Sequence, residues 1–275
     1  MRILFAAILC LFAASPALAV SLDLTGEATE GGLMIGKTDP RATVRLDGDP
    51  IAVSPQGDFL VGFDRDAKGE HTLTATGRDG SFATRTLTIK TRGFDIQRID
   101  GLPEQQVTPN PQDLARIHAE AQSMKVSREV SSPVAMFRSG FDWPADGQIS
   151  GVYGSQRILN GQARAPHYGL DIAGPIGTPV RAAADGVVAF IHPDMYFNGR
   201  TLVLDHGLGL NSIYLHLSEI TVAPGAQVKK GDLVGRMGAT GRVTGPHLHW
   251  EVQLNSKIHL DPQLLVPKRT SVETH

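Results

Sequence analysis

Turn formers recur too closely in this chain for long helices to be common. Its 30 glycines and 17 prolines cut residues 20–91 at Thr38-Asp39-Pro40, Asp47-Gly48-Asp49-Pro50, Pro55-Gln56-Gly57-Asp58, Lys68-Gly69 and Asp79-Gly80. Glycine supplies the positive φ of tight turns, and proline fixes φ and removes a backbone donor, so each cluster ends whatever element precedes it. The runs left between them, 43–46, 59–63, 71–75 and 83–89, are short and mostly alternating, which is the period of a strand with one face buried. The same punctuation returns over 140–266, where 180–188, 202–204, 212–214 and 248–254 are the expected strands. The chain is therefore expected to be mainly β.

Short strands broken about every eight to twelve residues suggest a small antiparallel sandwich over 20–91, similar to the immunoglobulin-like modules of bacterial envelope proteins. Residues 92–139 read as a linker with one short helix. Asn110-Pro111-Gln112-Asp113 supplies an N-cap, a proline at the first helical position and an early acid. Leu114, Ile117 and Ala121 carry the helical period to about Val130, and Ser131-Ser132-Pro133 stops it. A second domain, expected to be a compact antiparallel β-sheet, occupies 140–266, and 267–275 is a polar tail.

Residues 1–19 have the layout of a cleavable export signal. Arg2 precedes an unbroken apolar run over 3–14, and Ser15-Pro16-Ala17-Leu18-Ala19 ends in Ala-x-Ala, with cleavage expected after Ala19. A membrane-spanning helix needs about 20 apolar residues, whereas this run is shorter and meets Pro16. The single cysteine, Cys10, falls inside the segment to be removed and lacks the small residue that a lipoprotein signal places directly ahead of its cysteine. The exported chain would then have neither thiol nor disulfide and would rely on its core, and on any bound metal, for stability. The expected location is the periplasm or the cell exterior, with no stable membrane insertion once the signal is gone. A net charge of −2 with no basic block argues against a nucleic-acid partner.

Seven of the ten histidines lie between positions 167 and 259, a clustering that points to a hydrolytic metal centre. His167 and Asp171 are four apart. A helix would put them on one face, but Pro166 and Gly169 argue against helix, and in a straight strand they would stand about 13 Å apart. The chain is expected to bend here, with Gly169 suited to the bend. His247 and His249, two apart, would share a strand face at about 7 Å along the backbone, so that one can bind metal while its neighbour handles water. Catalytic zinc commonly takes three nitrogen or oxygen ligands and leaves a position for water, whereas structural sites are closed by four, often with cysteine. With Cys10 removed alongside the export signal, the absence of cysteine from the mature chain favours the catalytic kind.

Several motifs occur in one order over most of 148–262. They are Pro166-His167-Tyr168-Gly169-Leu170-Asp171, Gly177-Thr178-Pro179-Val180, Asp185-Gly186-Val187-Val188, His206-Gly207, Tyr214-Leu215-His216-Leu217, Gly238-Ala239-Thr240-Gly241 and Gly245-Pro246-His247-Leu248-His249. Together they resemble the lysostaphin-type, or LytM-like, zinc metallopeptidases that cut peptidoglycan cross-bridges. The resemblance implies one zinc ion held by His167, Asp171 and His249, with His216 and His247 flanking the attacking water and the oxyanion. It leaves open which of those two is the general base. It also implies a β-sheet domain whose loops form a groove for an extended peptide, peptidoglycan as the partner, and either a D-alanyl to diamino-acid cross-link or a glycine bridge as the bond cut. Trp250 stands where many relatives have phenylalanine, and 195–199 forms a longer loop that is expected to shape the groove.

The remaining candidates carry plainer readings. His206 is taken as structural or supporting, His192 and His259 as solvated or packed, His118 as a surface or interface residue, and His71 as solvated or packed within a strand. The glycine-rich stretch 235–241 lacks the strand-to-helix setting of a nucleotide loop and reads as turns. Two rival functions differ in class. One is a non-catalytic activator or scaffold for other cell-wall hydrolases, of the kind formed by relatives that have lost ligands; the other is a wall-binding module in which 20–91 is the working part. All five implied residues are present, which favours an enzyme. Residues 20–91 would then position or restrain the catalytic domain, an arrangement compatible with a regulatory protein partner.

Overall fold

A computed structural model describes residues 20–101, 109–129 and 131–269; the expected export signal and the end of the polar tail lie outside the described residues. Seven strands come first: β1 (Leu22–Thr25), β2 (Leu33–Thr38), β3 (Thr43–Leu46), β4 (Asp49–Ile51), β5 (Asp58–Gly62), β6 (Glu70–Thr76) and β7 (Phe82–Thr88). They make two antiparallel sheets, in the orders β1-β2-β5 and β4-β3-β6-β7. Leu22, Met34, Val44, Phe59, Val61, Leu73 and Leu87 from both sheets meet in one buried cluster, which is what the short alternating runs require.

Two further elements follow, β8 (Ile96–Ile99) and α1 (Pro111–Glu129). The helix forms as its signals demand: Pro111 is its first residue, and Asn110 Oδ1 accepts from the Asp113 N–H at 2.8 Å, which satisfies one of the donors left over at a helix start. After α1 come β9 (Gln148–Gly151), β10 (Gln156–Leu159), β11 (Gln162–Ala163), β12 (Leu170–Ala173), β13 (Pro179–Arg181), β14 (Gly186–Met195) and β15 (Gly199–Asp205). They are followed by β16 (Leu210–Leu217), β17 (Glu219–Ile220), β18 (Gln227–Val228), β19 (Leu233–Arg236), β20 (His247–Leu254) and β21 (Ile258–Leu260). The segment expected to be a linker is thus more than a connector, because β8 pairs in parallel with β10.

The largest sheet has the order β18-β14-β15-β16-β20-β12-β9, with β21 added beside β20, and all its pairings are antiparallel. One expected strand, 180–188, is instead two. β13 pairs with β19 in a small sheet, and β14 belongs to the large one. Between them Ala182, Ala183 and Ala184 are all buried, which breaks the alternation of a one-faced strand. The Ala183 N–H donates to the Tyr214 hydroxyl at 2.9 Å and its carbonyl accepts from the Asp142 N–H at 2.8 Å, so its backbone groups are not available to a ladder.

Alternation also sorts the two faces of the large sheet. Leu202 and Leu204 of β15, Tyr214 of β16, Leu248, Trp250 and Val252 of β20, and Leu170 and Ile172 of β12 enter the main core. Their odd-numbered neighbours face the other way. There Val203, Ile213 and Leu215 pack with Met124 of α1. The N-terminal sheets are docked rather than tethered: Leu33 and Leu60 join the main core, Arg138 reaches Asp58 with Nε at 2.9 Å, and Arg92 pairs with Asp261 at 2.6 Å.

Candidate metal centre

Strand register assembles the site. β12 and β20 run antiparallel with Asp171 opposite His249, and β16 sets Leu215 opposite His249 from the other side. Asp171 and His249 are therefore cross-strand neighbours on the face away from the core, with His247 and Glu251 two residues to either side of His249. His167 enters from just ahead of β12, where its N–H donates to the Ser155 carbonyl at 2.8 Å and its carbonyl accepts from the Gly154 N–H at 2.8 Å. The expected bend is present, but Gly169 serves it differently from expectation. Its backbone is not left-handed; instead a Cβ there would lie 2.7 Å from both His249 Nε2 and the Trp250 carbonyl oxygen, so the position needs the absence of a side chain.

His216 arrives through an irregularity. The register of β16 with β15 shifts between Arg200 and Leu202, and His216 has φ of 63°, a left-handed conformation that costs a non-glycine residue on the order of 1–2 kcal/mol. Its ring then lies 4.9 Å from that of His247 and 6.1 Å from that of His249, centroid to centroid.

Backbone carbonyls settle which ring nitrogens carry protons, because a carbonyl only accepts. His167 Nδ1–H donates to Val152 O at 3.1 Å, His216 Nδ1–H to Thr240 O at 2.9 Å and His247 Nδ1–H to Gly245 O at 2.9 Å, so in the neutral rings all three present a bare Nε2. His249 is the reverse. Its Nε2–H donates to the Glu251 carboxylate at 2.9 Å, which leaves Nδ1 bare. His167 Nε2, His249 Nδ1 and Asp171 Oδ1 then form a triangle with sides of 2.9, 2.7 and 3.1 Å, made by three buried residues. Electron-rich atoms this close repel unless a proton or a cation lies among them. Donors at about 2.0–2.1 Å around a tetrahedral zinc stand roughly 3.3 Å apart, so a few tenths of an ångström of opening admits the ion. Donor chemistry and size both fit a metal, and among the described residues this trio is the group able to hold one.

In the absence of an ion the proton goes to His249. Burial would push that imidazole down, yet hydrogen bonds to Asp171 and Glu251 and their charges raise it to about 9. Burial would likewise raise the two carboxylates; instead contact with His249 brings Glu251 down to about 2, and His167 and His249 hold Asp171 well below the usual carboxylate range. His167 is lowered by burial. Burial, reinforced by the charges of His249 and His247, pushes His216 down to about 3. A bound cation would act in the same direction, so His216 is neutral at pH 7.

Several residues around the site were not anticipated. Glu251 shares the strand face of His247 and His249 and could have been found from that period of two. It accepts from Gln253 Nε2–H at 3.2 Å, and Gln253 Oε1 accepts from Arg128 Nη1–H of α1 at 2.6 Å, which links the site to the helix. The site opens into a cavity of about 560 Å³ whose wall includes Gln97 of β8, Leu114 and Ile117 of α1, and Arg157 of β10. These depend on long-range pairing and leave no local signal. From the 195–199 loop, Phe197 and Asn198 contribute to the cavity wall.

The plainer readings also find their places. His206 is fully buried and bonded through Nδ1 to Asp185 O and through Nε2 to Ser212 Oγ, each at 2.7 Å, away from the cavity. His259 stacks on Tyr168 at 4.0 Å, and His71 pairs with Asp47 at 2.6 Å. His118 is exposed on α1, and His192 Nδ1 accepts from the Asp194 N–H at 3.2 Å.

Known proteins agree with this architecture. Residues 165–262 match peptidase family M23. The crystal structure of a putative peptidase M23 from Pseudomonas aeruginosa is 32% identical and aligns with 87% of this chain and 95% of that one at a TM-score of 0.68. The chain belongs to peptidase family M23. It is also similar to the peptidoglycan DD-endopeptidase ShyA of Vibrio cholerae, 44% identical over 110 residues that make up 39% of this chain and 25% of the relative. The cell division protein DipM of Caulobacter vibrioides is 32% identical over 167 residues, 59% of this chain and 26% of the relative. The chain thus matches about a quarter of the length of these two relatives.

Proposed function

We propose that this protein is an exported zinc metalloendopeptidase that hydrolyses peptide cross-links of bacterial peptidoglycan in the periplasm. The observation that carries the reading is the buried triangle of bare donors, His167 Nε2, Asp171 Oδ1 and His249 Nδ1, with the imidazoles of His216 and His247 beside it. Zinc held by those three residues would lower the pKa of a water to roughly 7 and polarise the scissile carbonyl. His216, neutral and anchored through Nδ1–H to Thr240 O, accepts the proton of the attacking water at Nε2. His247, anchored in the same way and with Nε2 3.8 Å from Asp171 Oδ1, is placed to hold the developing oxyanion from an Nε2–H, and His216 hands the proton it took from the water to the leaving amine. Glu251 keeps His249 in the tautomer that frees Nδ1.

The similarity to peptidoglycan DD-endopeptidases supports a D-alanyl to diamino-acid bond over a glycine bridge. The intact set of five residues counts against the activator or scaffold alternative. The division into an immunoglobulin-like module at 20–91, a connecting segment at 92–139 and a catalytic part at 140–266 belongs to the same proposal, with one change. β8 and α1 of the connecting segment line the cavity, so they act with the catalytic part.

Zinc content and hydrolysis of isolated peptidoglycan sacculi test the assignment together. The purified protein is expected to hold one zinc and to release peptide-linked fragments, and His249→Ala to lose both while its circular dichroism stays that of the parent. Sacculus hydrolysis retained by His249→Ala would sink it.

A further inference from the structure

A non-glycine residue keeps a left-handed backbone only where its surroundings over-determine it, and the anchors of His216 lead to two loops that meet at Thr240. Between the pairs Arg200–Leu217 and Leu202–Tyr214, one residue of β15, Thr201, stands against two of β16, Leu215 and His216. Such a bulge re-aims a side chain and interrupts the ladder, so the backbone groups beside it need other partners. Thr240, in the turn between β19 and β20, supplies them. Its Oγ1 accepts from the Arg200 N–H at 2.9 Å and donates to the Leu217 carbonyl at 3.0 Å, so one hydroxyl joins the paired residues on one side of the bulge. The carbonyl of the same residue accepts from His216 Nδ1–H at 2.9 Å. Thr240 is half-buried and does not itself line the cavity.

The 195–199 loop closes the arrangement from the other side. The Asn198 carbonyl accepts from the His216 N–H at 2.9 Å, and the Phe197 carbonyl accepts from the Arg242 N–H at 2.8 Å. Glycines stand where the two loops touch. A Cβ at Gly199 would strike Thr240 Oγ1, and one at Gly241 would strike the Gly199 nitrogen. This contact restricts the Thr240 hydroxyl and, with it, the carbonyl that orients His216.

We propose that Thr240 is a positioning residue for hydrolysis: its hydroxyl, which reaches no reacting atom, fixes the carbonyl that keeps His216 in the tautomer with a bare Nε2. The inference rests on the hydrolase reading and adds a residue to it. An imidazole released from this carbonyl is free to carry its proton on Nε2, where no lone pair then remains for a proton of the attacking water. Valine has nearly the shape of threonine but neither donates nor accepts. Thr240→Val therefore leaves the Arg200 N–H and the Leu217 carbonyl without this partner and lets the turn shift.

The test reads the imidazole and the rate separately. Nitrogen NMR of the zinc-loaded protein carrying isotope-labelled histidine, with the His216 signals assigned by their loss in His216→Gln, reports the tautomer. The parent and Thr240→Ser are expected to show a protonated Nδ1 and a bare Nε2, and Thr240→Val a mixture of tautomers. On cross-linked muropeptide dimers, Thr240→Val should keep one zinc per chain and a KM within about twofold of the parent while kcat falls about 10- to 100-fold. Thr240→Ser should recover most of that loss. If valine prevents folding, Thr240→Ala takes its place under the same criteria. A folded variant without the hydroxyl that keeps the parent's His216 tautomer, or whose kcat falls by less than about twofold, overturns the assignment. A serine variant as slow as the valine one overturns it as well. If the parent cuts no dimer, the hydrolase reading falls alone, and the nitrogen spectra decide whether Thr240 positions His216.

Discussion

Replacing Glu251 by glutamine separates two effects of one carboxylate on the metal centre. Glu251 Oε1 accepts from His249 Nε2–H at 2.9 Å and Oε2 accepts from Gln253 Nε2–H at 3.2 Å, while Gln253 Oε1 is held by Arg128 at 2.6 Å. Glutamine fits the space but offers one acceptor where two are used, so either His249 or Gln253 faces an amide NH2. Losing a charge-assisted hydrogen bond behind a ligand weakens metal binding by about 10- to 100-fold, or roughly 1.4–2.7 kcal/mol. The same carboxylate also helps hold a proton on His249 up to about pH 9, and zinc must displace that proton. Removing the charge therefore eases proton competition at neutral pH and offsets part of the loss. Competition against a chromophoric chelator should show the full 10- to 100-fold deficit of Glu251→Gln only above about pH 9 and a smaller deficit near pH 7. Equal zinc affinity of the variant and the parent above pH 9, with both folded, would refute this role for Glu251.

Other expectations follow from the same geometry. Because His249 is protonated below about 9 in the metal-free protein, zinc binding should release about one proton near pH 7 and the apparent affinity should rise close to tenfold per pH unit up to about 9; calorimetry in buffers of different ionisation enthalpy checks this, and a pH-independent affinity contradicts it. His216→Ala and His247→Ala should each keep one zinc yet lower the rate by about 10²- to 10⁴-fold, measured by release of fragments from isolated sacculi with zinc analysis alongside. Gly169→Ala puts a methyl 2.7 Å from His249 Nε2 and the Trp250 carbonyl, so about 1–3 kcal/mol of stability should be lost; an unchanged denaturant midpoint would show that the strand yields freely.

What was legible in the sequence is what local pattern encodes. The turn clusters place β3, β5, β6 and β7 where the alternating runs lie, and the Asn110-Pro111 start of α1 is correct to the residue. Of the five histidine and aspartate candidates, Asp171, His247 and His249 share one face through the period of two on β20 and the β12–β20 register, whereas His167 joins them from the bend ahead of β12 and His216 from the irregular end of β16. The expected single strand over 180–188 failed because tertiary partners, Tyr214 and Asp142, claim the backbone at Ala183. Gly169 was assigned to the right bend for an incomplete reason, since its neighbour in space, His249, is 80 residues away in the chain. Arg157 and Gln97 were invisible for the same cause, as only the parallel pairing of β8 with β10 sets them side by side.

The central claim is that His167, Asp171 and His249 hold a zinc ion that serves peptidoglycan cross-link hydrolysis. Its most direct test is mass spectrometry of fragments released from isolated sacculi by the purified protein, with and without a zinc chelator and after zinc is restored. The account predicts loss of cross-linked dimers that stops with chelator and returns with zinc. Cross-links left intact by protein carrying one zinc per chain, or cleaved equally in the presence of chelator, would contradict it.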